Sequence, residues 1–455
     1  MSTTKGATML PGYISKTAPN PGSNRAPWYK NTAPTYAGIF LWIVFYREIA
    51  AGTLDLAGVG LCLLALLVAG LISYALFYRV PAMLGMQTGY PLYVVGSSTF
   101  GTQGGYLMPG LLMGVLQVGW MSVNAFVATS FILTAFGSKA GPGSLLFGLI
   151  AAAWALGLGY VGAKGIQYVS RFALYLNFVP LLMILVVFAK NAGGIGHYTP
   201  AHPAPYIGFM MLIQIVVGFF ATAGAAGVDF GMNSRDERDV RWGGLVGILL
   251  AVLVAGGLPL MAVAGARALY GVQNFQFDSA IAQIGGFAAI AFLLFAVASV
   301  APMCFSSFIA GNSLATMIPG VPRITSTMLG AVVAAILAIT GAAANLINLF
   351  TIIGASFGPI CGAMAADYWL SGKRWAGPRE GINFAGYLAW AIGFIIGILP
   401  FLPIPADTKP YLQPAAVYSF VAGFLVYAVL AKAGLEPKVV PGSTAPGPWT
   451  MTAKA

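Results

Sequence analysis

What most constrains this chain is a series of twelve apolar runs, most of them near 20 residues long, separated by Gly, Pro and charge. Their limits are about 35–54, 56–78, 107–135, 143–162, 165–189, 206–230, 241–265, 282–317, 325–342, 345–370, 384–403 and 413–432. About 20 helical residues are enough to cross the hydrocarbon core of a bilayer. Only 7% of the residues are charged, against about 25% in soluble proteins. The chain is therefore read as an all-α integral membrane protein with twelve transmembrane helices. The eighth run is too long for one upright helix, so it is either tilted or preceded by a short surface helix.

Basic residues set the expected orientation. With the amino terminus inside, 17 of the 22 Lys and Arg residues fall in inner segments and 4 in outer ones, leaving Arg47 within the first run. This asymmetry places both termini in the cytoplasm and the chain as a multi-pass protein of the cytoplasmic (inner) membrane. The net charge of +11 follows from the same bias and calls for no nucleic acid partner. Residues 1–34 are polar and without an acid, and read as a disordered cytoplasmic tail.

Two runs are interrupted by small residues. The first, IFLWIVFYREIAAGTL, carries Arg47 and Glu48 and then Ala50-Ala51-Gly52, a step suited to a break. A charge at bilayer depth costs a few kcal/mol or more, so the pair faces protein or water, unless the span starts later and leaves it at an interface. The sixth run has Gly218 and then Ala223 to Gly227. Broken helices five spans apart point to an inverted-repeat transporter with its site at the midplane, although small residues also simply permit close packing. The expected units are 35–205 (spans 1–5), 206–372 (spans 6–10), two peripheral spans in 373–433, and a C-terminal tail, 434–455.

Polar residues inside the runs mark a candidate site. Gln117, Trp120 and Asn124 share one helix face. A Gln amide offers donors and acceptors, and a Trp offers a flat apolar face, which together suit a small planar heterocycle. Helix packing is the alternative for each. Gly218 opens backbone to such a ligand, and Phe219 and Phe220 offer a second face if a break turns them inward. Asp229 reads as a cap or loop anchor. No Walker loop, nucleotide-binding glycine motif, metal triad or Ser/His/Asp set is present, so an enzyme is not expected, and no cofactor is implied.

These stretches resemble the nucleobase–cation symporter family of cytosine and purine permeases and hydantoin transporters, over about residues 33–430. The resemblance rests on QVGW at 117–120, VVGFFATAG with Asp229-Phe230, FDSAIAQ around Asp278, and Pro359 to Tyr368 followed by Lys373-Arg374. It implies the leucine-transporter fold, a five-plus-five inverted repeat with broken helices 1 and 6, working by alternating access. It implies a planar base between Trp120 and Phe220, with Phe219 the neighbouring candidate, and Gln117 on the base edge with backbone near Gly218. Sodium-coupled members use span-1 carbonyls and a span-8 hydroxyl pair. Here Ser299 takes the first span-8 position, but Pro302 and Met303 stand where the hydroxyls belong. The expectation is that Arg47 replaces the ion and that Glu48 faces the base or carries a coupling proton. The function so read is secondary active import of a nucleobase by a monomer, with a proton favoured over sodium. The alternatives are a sodium-coupled or uncoupled carrier of allantoin- or hydantoin-type compounds, and a membrane nucleobase sensor that binds without transport.

Overall fold

A computed structural model describes residues 10–164, 176–318 and 320–441. The start of the fifth run, Lys5, Arg171, Lys454 and most of the C-terminal tail lie outside them. The described chain is helical, with two isolated β-bridges and no strand among these residues. In chain order the elements are α1 (Thr32–Phe40), α2 (Ile43–Tyr46), α3 (Leu54–Thr88), α4 (Leu92–Phe100), α5 (Tyr106–Ala135), α6 (Leu145–Lys164), α7 (Phe178–His197), α8 (Pro205–Ala225), α9 (Gly227–Gly231) and α10 (Glu237–Tyr270). They continue with α11 (Phe277–Ile281), α12 (Ala288–Ala298), α13 (Val300–Met317), α14 (Arg323–Ile339), α15 (Leu346–Leu370), α16 (Phe384–Phe401) and α17 (Ala415–Lys432).

Ten helical stretches among the described residues are long and apolar enough to cross a membrane. The broken pair α1–α2 and the shorter α14 match the first and ninth runs, so the elements agree with twelve spans. The long eighth run is a 3-10 turn followed by α12–α13, interrupted at Ser299, and the short helix that precedes it, α11, is mostly buried against the bundle and not a surface helix. α15 is the most enclosed span. It packs against α8, α16 and α17 through small residues that let backbones approach.

Both broken helices exist, but the first breaks elsewhere than expected. α1 ends at Phe40, and Trp42 is extended (φ −73°, ψ 128°) before α2 begins. The Ala50-Ala51-Gly52 step instead forms the turn into α3, with Gly52 at φ +71°. The sixth span breaks at Ala226 (ψ −5°), inside the small-residue stretch, whereas Gly218 lies in unbroken helix.

Residues 10–34 also depart from the expected disordered tail. Tyr13 donates to the Thr102 carbonyl at 2.6 Å, the Asn20 amide to Gly89 O at 2.8 Å, and Arg25 to Met86 O at 2.8 Å. Ala26 pairs with Ser234 as a β-bridge, and the Trp28 amide donates to Asp239 at 3.0 Å. The segment is thus tied to loops of the bundle by hydrogen bonds, and burial pushes the Tyr13 phenol up. On the same face Arg379 donates to Asp367 at 2.9 Å and lies 3.0 Å from Glu436, so both described chain ends sit at one end of the bundle.

Candidate substrate site

The two breaks meet. A helix break frees carbonyls that need new donors, and the Tyr36 hydroxyl of α1 donates to Ala223 O of α8 at 2.9 Å. Beside this junction lies a cavity of about 360 Å³, within the range of small-molecule sites. It is lined by α1 and Trp42 at the break that follows it, by α5, by α8 and α9, and by the second half of the eighth span. Lys30, exposed, stands at its mouth on the face of the chain ends.

Gln117, Trp120 and Phe219 line this cavity. Trp120 donates its indole N–H to Thr222 Oγ1 at 3.1 Å and meets Phe219 edge-on at 5.1 Å. Gln117 is buried, and its amide nitrogen has only the Met113 sulfur at 3.5 Å, a weak acceptor. Its hydrogen-bonding capacity is largely unspent. The remaining expected residues lie elsewhere. Gly218 faces α15, where a Cβ would come 2.5 Å from Phe350 O, so its role is close packing. One residue of helix turns Phe220 away from the cavity: its ring is fully buried, stacked on Phe40 at 5.5 Å. Asn124 donates to Ser299 O at 2.9 Å and accepts from Trp154 at 3.0 Å, so it ties α5 to the break in the eighth span. Ser299 turns its hydroxyl to Ala296 O at 2.7 Å.

Arg47 and Glu48 are not at the cavity. They follow α2 at the far end of the bundle from the chain termini. Arg47 grips Asp278 of α11 with contacts of 2.8, 3.0 and 3.1 Å, and its Nη1 is 4.0 Å from Glu48. Gln276 donates to Glu48 at 2.6 Å. The expected Arg47–Glu48 pair is thus a weaker neighbour of an Arg47–Asp278 pair. Neither residue faces the ligand position, and Arg47 does not take the place of an ion between spans 1 and 8.

Trp42 is the residue that the sequence reading missed. It lines the cavity at the break, 5.5 Å from Trp120 and 6.4 Å from Phe219 between ring centres. Its indole nitrogen is buried without a hydrogen-bond partner. Buried donors are nearly always satisfied, so an orphan on a residue that lines a cavity marks a place for an acceptor. Ser306 of the eighth span also lines it. Among the described residues no cluster of three His, Cys, Asp or Glu side chains could hold a metal ion.

The profile of a family described as permeases for cytosine/purines, uracil, thiamine and allantoin matches residues 19–426. The chain belongs to this family. It is 26% identical over 343 residues to the cytosine permease of Escherichia coli O157:H7, covering 72% of this chain and 77% of the relative. Among solved structures it is similar to the inward-facing conformation of Mhp1, with a TM-score of 0.66 and 16% identity over 93% of this chain and 96% of that one. It is also similar to the closed, bromovinylhydantoin-bound form of Mhp1, a nucleobase-cation-symport-1 family transporter, with a TM-score of 0.64 and 17% identity over 91% and 95%. The chain is thus a multi-pass membrane transporter of the nucleobase–cation symporter type with the fold shared by these structures, and not an enzyme.

Proposed function

We propose that this permease imports a nucleobase, cytosine or a purine, by alternating access. The observation that carries the reading is the cavity in which Gln117 and the Trp42 indole N–H stand without good partners beside the Trp120 ring. A base carbonyl would accept from Trp42, and the adjoining donor–acceptor edge would meet the Gln117 amide. Trp120 and Phe219 touch at 5.1 Å, which leaves no room for a ring between them, since two stacking contacts need roughly 7 Å. The base is therefore placed against the aromatic corner of Trp42 and Trp120, and Phe219 supports that corner.

The aromatic contacts and the Arg47–Asp278 pair close the outer side, and the cavity mouth at Lys30 faces the chain ends. The excess of basic residues in the segments on that face supports reading it as the cytoplasmic side of the inner membrane. The cavity is complete within one chain, which supports a monomer as the working unit. For the ion, a proton is favoured over sodium. Pro302 lines the cavity and Met303 is buried beside it, and neither side chain is a sodium ligand of the oxygen type that hard cations require. Glu48, held by Gln276 beside Arg47, is the carboxylate proposed to take the proton when the outer side opens.

The test is uptake of labelled cytosine into proteoliposomes with sodium replaced by choline, across a pH series, with purines, allantoin and hydantoins as competitors. Uptake that ignores sodium and rises at acid pH supports the reading. A requirement for sodium overturns the proton assignment. Binding without accumulation identifies a sensor, and stronger competition by allantoin or a hydantoin moves the substrate to that class.

A further inference from the structure

A second concavity, unrelated to the substrate cavity, lies between α3 and α10 at the end of the bundle that carries the chain ends. Arg79, Arg238 and Arg241 line it with Glu237, Tyr74 and Trp242. Three guanidiniums face one carboxylate. Arg79 lies 3.7 Å from Glu237, both largely exposed, so that pair is loose. Among the described residues Arg238 and Arg241 have no ion pair or side-chain hydrogen bond, and the nearby Asp239 is occupied by Arg235 at 2.7 Å. The charge in the groove is therefore unanswered by protein.

The groove also continues into apolar surface. Arg238, Arg241, Trp242 and Leu245 follow one another at helical spacing along one face of α10. Both helices make a wide π turn at this level, Ser73–Tyr78 in α3 and Leu245–Leu250 in α10. Such turns recur at functional sites. One turn further along the seam Gly70 packs against Leu249, and the next residues, Leu71 and Leu250, are 44% and 51% exposed. In a membrane-spanning bundle those leucines face acyl chains, while Trp242, half exposed and resting on Trp28 at 6.5 Å, has the position of an interfacial anchor.

We propose that this groove is a binding site for the phosphate headgroup of an anionic phospholipid, with the acyl chains along the seam of Leu71 and Leu250. Arginine suits a phosphodiester because its planar fork donates two parallel bonds to the phosphate oxygens. Basic pockets between helices at the inner membrane face hold anionic headgroups by the same chemistry. A free phosphate would use the arginines alone and leave the apolar continuation without a role.

The experiment is native mass spectrometry of the full chain in detergent, offered phosphatidylglycerol or phosphatidylcholine with identical acyl chains. Wild type is expected to retain phosphatidylglycerol over phosphatidylcholine, and the Arg238→Gln/Arg241→Gln double variant to lose about tenfold or more of that retention. These arginines are exposed and their side chains bond no other described residue, so their loss removes no internal hydrogen bond or ion pair among these residues. A control pair with equal charge removal on the same face, Lys16→Gln/Lys432→Gln, is expected to keep it. Glu237→Gln, which frees Arg79, is expected to raise it. Equal retention of the two lipids, equal loss in the control pair, or a fall in Glu237→Gln would overturn the proposal. So would displacement of the lipid by an equal concentration of glycerol 3-phosphate, which would make this a site for soluble phosphate.

Discussion

Replacing Asp278 by Ala should open the outer side of the transporter. The pair it forms with Arg47 joins the outer half of the broken first span to the loop helix between spans 7 and 8. Three contacts of 2.8 to 3.1 Å hold it, with side chains 12% and 22% exposed. Charge-assisted hydrogen bonds contribute about 1.5–3 kcal/mol each when buried. Partial exposure screens this pair, and Glu48 at 4.0 Å retains some attraction for the freed guanidinium. A net loss of about 2 kcal/mol from the closed state corresponds to roughly 30-fold in the closed-to-open ratio. The assay is labelling of an Ala223→Cys reporter in the cavity, in a background with Cys62, Cys304 and Cys361 replaced. A membrane-impermeant maleimide is applied from the side opposite the chain ends. Asp278→Ala should raise the labelling rate by about tenfold or more, and Arg47→Asp/Asp278→Arg should restore slow labelling. An unchanged rate in Asp278→Ala would refute the idea that this pair holds the outer side shut.

Trp42→Phe keeps a ring but removes the unpaired N–H; cytosine affinity by calorimetry should fall about tenfold, the worth of one hydrogen bond, with folding stability unchanged or improved. Gln117→Ala should weaken binding by about tenfold or more, whereas Asn124→Ala, which unties α5 from the eighth span, should lower the melting temperature more than it lowers affinity. Gly218→Ala should destabilise the protein by about 1–3 kcal/mol, read as a lower melting temperature, because its Cβ would collide with Phe350 O. Glu48→Gln should abolish the acid stimulation of uptake, and an unchanged pH profile would remove Glu48 as the coupling carboxylate.

The spans were legible because a bilayer demands about 20 apolar residues per crossing, and that demand is written into composition. The break in the sixth span was legible for a similar reason, since a run of Gly and Ala marks it. The break in the first was not. Leu41 and Trp42 are neither small nor Pro, and nothing local requires an extended residue there. The small-residue step at Ala50 to Gly52 carried the stronger local signal, and it made a turn instead. Arg47 shows the same limit from another side. Its charge announced a partner, and Glu48 was the neighbour in sequence, but the guanidinium reached Asp278, 231 residues away.

The choice between Phe219 and Phe220 turned on the rotation of one helix, and a residue outside the cavity set it. Gly218 is pressed against Phe350 O, so α8 can approach α15 only with that face inward. About 100° further round the helix, Phe219 meets Trp120 at the cavity, and the next step sends Phe220 to Phe40 and Tyr36. The aromatic pair in the sequence names the helix that serves the site, but the glycine before it decides which ring does. The same reasoning separates Gln117 from Asn124. Both are amides on one face of α5, and either could hold a ligand or a neighbouring helix. Asn124 has found a carbonyl and an indole, and Gln117 has found only a thioether, so the unspent hydrogen bond is what distinguishes the ligand position.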